Sequence, residues 1–105
     1  MAAATVLGAC GVAFSLRFIR AASQGGIEIG FDSEMARLIA AQTVLGAAAL
    51  LLERGEHPEG EIDRVTTPRG CTIAGLNEME HQGFSSALIK GITTSFERIG
   101  GLADA

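Results

Sequence analysis

Val65-Thr66-Thr67-Pro68-Arg69-Gly70-Cys71-Thr72-Ile73-Ala74-Gly75-Leu76 reads as a tight polar turn that opens into a helix. Pro68 fixes its own φ and pushes Thr67 toward an extended conformation, so a helix arriving from upstream should stop there. Gly70 can take dihedrals that other residues avoid, and Ile73, Leu76 and Met79/Glu80 then resume a period near 3.6. A new helix is expected from about Cys71. Its first N–H groups have no partners within the helix, and with the macrodipole behind them they can seat a carboxylate or phosphate. The residues alone favour a plainer reading, in which Thr67 or Thr72 caps the helix.

Outward from this turn the chain reads as helices throughout. Downstream, the helix from about Cys71 stops at Gln82-Gly83, and a last helix runs from about Phe84 to Ile99, with Phe84, Leu88, Ile92 and Phe96 at every fourth position. Ala87, Gly91 and Ser95 form a small-residue stripe beside them, and Gly100 to Ala105 reads as a frayed tail. Upstream, Gly55 through Gly60 reads as a turn containing Pro58, and Glu61 to Val65 as a short helix. Before it lies a helix capped by Asp32 or Ser33 and ended by Glu53-Arg54-Gly55.

That helix carries no charge from Leu38 to Leu52. Fifteen residues span roughly 22 Å, short of a bilayer core, and Gln42 and Thr43 interrupt the run, so burial is expected rather than a membrane span. Apolar residues go all round it, with Met35, Leu38, Leu45 and Leu52 on one side and Ile39, Val44, Leu50 and Leu51 on others. One small domain cannot cover every side. A second subunit is expected to supply the missing wall, with Ala36, Ala40, Thr43 and Ala47 marking a flat stripe where another helix comes close. The first segment, Ala2 to Leu16, is apolar but lacks the basic start of a signal peptide. Arg17, Arg20, Gln24 and Glu28 then share one face and Phe14, Phe18 and Gly25 another, which predicts an amphipathic helix ending near Gly30.

Composition excludes several classes. The chain has 105 residues, enough for one small domain that gains from an added interface. It has no Trp or Tyr and five Phe, so Ala, Leu, Ile and Gly carry the packing. A formal charge of −4 with no clustered basic face argues against nucleic acid. Cys10 and Cys71 make neither a CxxC nor a disulfide framework, which fits a reducing cytoplasm. With His57 and His81 they offer four zinc ligand types but no close pairs, so no metal is expected. A nucleophilic Cys71 would need a base that the sequence does not place, and a small filler is the plainer role.

The run from Gln42 to Ile99 closely resembles the C-terminal domain of pyrroline-5-carboxylate reductases, whose hallmark reads roughly V-T-[ST]-P-G-G-[TA]-T-x-x-[GA]-L. The match falls on Val65, Thr66, Thr67, Pro68, Gly70, Thr72, Gly75 and Leu76, with departures at Arg69 and Cys71. The resemblance extends upstream, where Gly25-Gly26 and Gly30-Phe31 answer a D-G-G-V-x-x-G-[LF] pattern with Gln24 in the acidic place. Of the family's G-S-G-P-A-[YF] entry only Gly11, Ala13 and Phe14 match.

The resemblance implies an all-α fold, a small helical domain with long apolar helices in an interleaved homodimer, similar to the C-terminal domain of 6-phosphogluconate-dehydrogenase-like reductases. It implies that the turn cradles the carboxylate of 1-pyrroline-5-carboxylate on the main-chain N–H groups of Gly70, Cys71 and Thr72, with Thr67 in the turn and the Thr72 hydroxyl near the ring nitrogen. The activity implied is reduction of that imine to L-proline with NAD(P)H. No strand-like alternation and no G-x-G-x-x-G after a predicted strand occurs, so the cofactor is expected on an N-terminal Rossmann domain that this chain lacks. Met1-Ala2-Ala3-Ala4 reads as an arbitrary start, and the chain alone is expected to be inactive. The competing readings are the helical domain of another imine reductase or hydroxyacid dehydrogenase, and a stand-alone helical dimerisation module without a ligand.

Overall fold

A computed structural model describes residues 2–68 and 70–104, with the side chains of residues 101–104 excepted. The described residues are helical apart from short turns, and no strand occurs among them. There are five helices: α1 (Ala2–Glu28), α2 (Ser33–Arg54), α3 (Pro58–Val65), α4 (Cys71–His81) and α5 (Phe84–Asp104). Contacts cluster into two units, one within Met1–Phe18 and Met79–Ala105, the other within Ile19–Glu78.

In the first unit, the early part of α1 packs against α5. Phe18 meets Phe84 edge to face with ring centroids 6.0 Å apart, and the Phe14 ring reaches to 4.0 Å from the place where a Cβ on Gly91 would stand. The two helices are therefore antiparallel, and the small residue at 91 lets an aromatic ring approach. Residues Val6–Cys10 form one π-helical turn inside α1, with the Gly11 N–H donating back to the Val6 carbonyl. Val6 is the most deeply buried large side chain among the described residues, at 1% exposure. Gly83, at φ 86°, takes the left-handed conformation that ends α4, and its N–H donates to Glu80 O at 2.9 Å. The Ser85 hydroxyl donates across the same turn to Glu80 Oε2 at 2.7 Å.

Helix α5 continues through Gly100 and on to Asp104, where a frayed tail was expected. Gly100 does not take the left-handed φ seen at Gly83, and no proline intervenes, so each added residue extends the ladder by one bond. Ala105 lies outside the described residues.

In the second unit, α1 ends in a paired cap: the Gly30 N–H donates to Ile27 O at 3.1 Å and the Phe31 N–H to Gly26 O at 3.0 Å, with Gly30 at φ 122°. Asp32 then caps α2, its carboxylate accepting from the Met35 N–H at 2.8 Å. A Cβ on Gly26 would stand only 3.0 Å from the Cβ of Ala36, so α1 and α2 touch closely here. The stripe expected to receive a second subunit is thus partly filled from within the chain, for Ala36 and Ala40 are buried at 3% and 8% exposure. The remainder of α2 is open: Leu38, Leu45 and Leu52 are 60%, 63% and 84% exposed.

The length argument against a membrane span also changes. Helix α2 has 22 residues, and it and α1 are each long and apolar enough, by length and composition, to cross a membrane. The charged residues that bound the uncharged run of fifteen, Arg37 and Glu53, belong to the same helix.

Helix α3 starts at Pro58 rather than at Glu61. The His57 ring caps it, its Nδ1 accepting from the Glu59 N–H at 3.1 Å, and Pro58 occupies a first-turn position where its missing N–H costs nothing.

Candidate functional site

The break between α3 and α4 is built from its own residues. Thr66 closes α3, its N–H donating to Asp63 O at 3.3 Å and its hydroxyl to Ile62 O at 2.6 Å. Thr67 and Pro68 then turn the chain, and the Gly70 N–H donates to Thr67 O at 2.9 Å, closing a four-residue turn. A side chain at 70 would land on the Thr67 hydroxyl and come within 3.0 Å of the Thr67 carbonyl oxygen. Glycine avoids both contacts. Arg69 lies outside the described residues.

Helix α4 begins directly after, at Cys71. The N–H groups of Cys71 and Thr72 stand in its first turn, where helical partners do not exist. Cys71 and Thr72 are exposed and Gly70 is half-buried. The residues singled out from the sequence are therefore contiguous in space as in sequence, but they divide by role. Gly70 spends its N–H on the turn, whereas Cys71 and Thr72 carry theirs in the first turn of α4. Thr67 is the residue that Gly70 must clear.

A feature not read from the sequence lies just upstream. Arg54, at the end of α2, sets its Nε 3.2 Å from Glu61 Oε2, and Arg64 sets its Nε 3.1 Å from Glu61 Oε1. Glu56 flanks both arginines, 3.3 Å from Arg64 and 4.0 Å from Arg54. The Glu61 side chain is only 10% exposed. The local spacing of Glu61 and Arg64 was a signal for one pair, but nothing in the order of residues announces that Arg54 completes it.

Cys10 and Cys71 are free thiols, and among the described residues no three His, Cys, Asp or Glu side chains converge as metal ligands. No strand occurs among the described residues, so they contain no crevice of the kind that holds a dinucleotide at the ends of parallel strands.

The sequence matches the family described as "Pyrroline-5-carboxylate reductase dimerisation" over residues 1–102. The chain belongs to this family. It is 68% identical over 99 residues to pyrroline-5-carboxylate reductase 1 of Dictyostelium discoideum, covering 94% of this chain and 18% of that protein. Among solved structures it resembles 1-pyrroline-5-carboxylate reductase from Streptococcus pyogenes, with a TM-score of 0.89, 31% identity, and coverage of 92% of this chain and 38% of that one. The fold also matches the NADP-bound pyrroline carboxylate reductase of Plasmodium falciparum, with a TM-score of 0.88 at 23% identity over 93% of this chain and 37% of that one. The chain thus spans well under half the length of these reductases. Membership in the dimerisation family accounts for the all-helical fold and for the long apolar helices that the single chain leaves open.

Proposed function

We propose that this domain forms the dimerisation and substrate-binding part of an enzyme that reduces 1-pyrroline-5-carboxylate to L-proline. The observation that carries the reading is the Thr67–Gly70 turn leading into α4, in a chain that belongs to the reductase dimerisation family. In this reading the substrate carboxylate sits on the N–H groups of Cys71 and Thr72, where the dipole of an eleven-residue helix adds to the hydrogen bonds. The Thr72 hydroxyl lies one residue into the same turn and serves the ring nitrogen. Gly70 keeps the approach clear, and its own N–H holds the turn.

NAD(P)H would supply the hydride and is assigned to a separate dinucleotide-binding domain, in keeping with the NADP carried by the Plasmodium relative. What this chain contributes is orientation of the imine.

The open apolar faces of α2 assign the partner. Leu38, Leu45 and Leu52 form one exposed side of a helix whose Ala36 and Ala40 are already covered, and a second copy of the chain is the occupant that a dimerisation domain supplies. We assign the domain to the cytoplasm on its two free thiols, to no nucleic acid on its net charge of −4, and to no membrane because a second copy accounts for the apolar surface of α2.

The test is a steady-state assay of the complete protein with 1-pyrroline-5-carboxylate and each nicotinamide cofactor. Proline formation that weakens modestly on Thr72→Ala and severely on Gly70→Val is the expected result. A complete protein that binds cofactor but does not turn over this imine would overturn the assignment.

A further inference from the structure

The carboxylate of Glu61 is shut away from solvent, and both its oxygens accept no hydrogen bond of good geometry among the described residues. Its compensation falls to two guanidinium groups, the Nε of Arg54 at 3.2 Å and the Nε of Arg64 at 3.1 Å. Arg64 belongs to α3, as Glu61 does, whereas Arg54 belongs to the last turn of α2. The Arg54 pair is therefore a tie between helices. Helix α3 has eight residues, below the length at which a helix holds itself together in water, so its place must come from such ties.

What α3 carries at its end is the turn. The Thr66 hydroxyl and N–H bind back onto Ile62 and Asp63, the two residues that follow Glu61, and the Thr67 carbonyl then receives the Gly70 N–H. A short run of hydrogen bonds thus leads from the helix that carries the buried carboxylate to the residue before α4. We infer that Glu61, clasped by Arg54 and Arg64, is a positioning residue for the substrate turn, setting where the Cys71 and Thr72 N–H groups stand without touching the substrate. This rests on the proposed role of that turn.

The experiment uses the complete reductase and compares Glu61→Gln, which keeps the shape and removes the charge, with Thr72→Ala as the reference for the turn itself. A displaced turn weakens substrate binding in ground state and transition state alike, so Glu61→Gln should raise the KM for 1-pyrroline-5-carboxylate by about tenfold while kcat stays within about twofold. Amide exchange should quicken at Thr66 and Gly70, whose N–H groups hold the turn, and stay unchanged along α5. Arg54→Gln, at a side chain 37% exposed, is the second variant should the first fail to fold, and it should show the same split with a smaller rise. Because the residues act as one unit, the double substitution should cost little more than Glu61→Gln alone.

A folded Glu61→Gln or Arg54→Gln enzyme with wild-type KM overturns the positioning role, and so does a lower melting temperature with KM unmoved. If Thr72→Ala is altered in that case, only the positioning role falls. If Thr72→Ala is also wild type, the substrate turn falls with it.

Discussion

A methyl group at Gly70 would land against the Thr67 hydroxyl and 3.0 Å from the Thr67 carbonyl, so the turn must deform to accept any other residue. Gly70→Val should therefore lower stability as well as substrate affinity, and a thermal melt alongside the kinetics separates the two. Cys71→Ala should be mild in both, since it keeps the main-chain donors and an exposed position at the helix start. Thr72→Ala should fall between them, near the ~1 kcal/mol of one neutral hydrogen bond, read as a rise in KM. Wild-type kinetics in a folded Gly70→Val protein would reduce the turn to a helix start.

At this scale the stops and caps were legible, because Asp32, Gly30, Gly55 and Gly83 each have a local chemical reason to stand where they do. His57 was not, since a ring nitrogen seldom replaces Ser, Thr, Asp or Asn as a cap. Glu61 was illegible for a deeper reason. In the run Glu59-Gly60-Glu61-Ile62-Asp63-Arg64 it looks like one more solvated charge, and only the return of Arg54 from the previous helix makes it buried.

Between elements, the contact of α1 with α2 turns on two adjacent glycines that behave oppositely. A Cβ on Gly26 would stand only 3.0 Å from the Cβ of Ala36, whereas nothing lies within 4 Å of a Cβ on Gly25. Gly26→Leu should lower stability by about 1–2 kcal/mol, the overpacking cost offsetting its better helix propensity. Gly25→Ala should raise it by about 0.5–1 kcal/mol, because it only removes unfolded-state freedom inside a helix. Chemical denaturation of the pair reads both signs, and a stabilising Gly26→Leu would mean that the helices do not meet there. Periodicity and turn residues together pointed to a helix in each of the five places but not to the π turn at Val6–Cys10, since one extra residue within an apolar run leaves no mark on a 3.6-residue pattern. The start of α3 was misread because Pro58 was taken as turn chemistry when it also suits a helix N-terminus.

For the whole molecule the decisive quantity is apolar surface left open. Leu45 is 63% exposed in the single chain, so Leu45→Glu would change the stability of an isolated monomer by no more than about 0.5 kcal/mol. Against a second copy it would bury a carboxylate without a partner, at a cost of several kcal/mol. Sedimentation at micromolar concentration should therefore show a dimer for the wild type and dissociated or unfolded chains for Leu45→Glu. A wild type that sediments as a folded monomer would remove the proposed dimer. The all-round apolar character of α2 foretold this open surface, while the portion that α1 covers at Ala36 and Ala40 depended on a close helix approach that composition alone does not encode.

The antiparallel pairing of early α1 with α5 also has a consequence in time. Val6, Phe14 and Phe18 are synthesised well before the helix that covers them, since Phe18 meets Phe84 and Phe14 meets Gly91. Helices α2, α3 and α4 can form by local contacts as they leave the ribosome, but the pairing must wait until α5 has emerged. At translation rates of about 5–20 residues per second, that leaves the first apolar turns bare for several seconds or more. During nascent-chain growth early α1 is thus exposed for longer than α2, α3 or α4, whose contacts are made with neighbours in sequence.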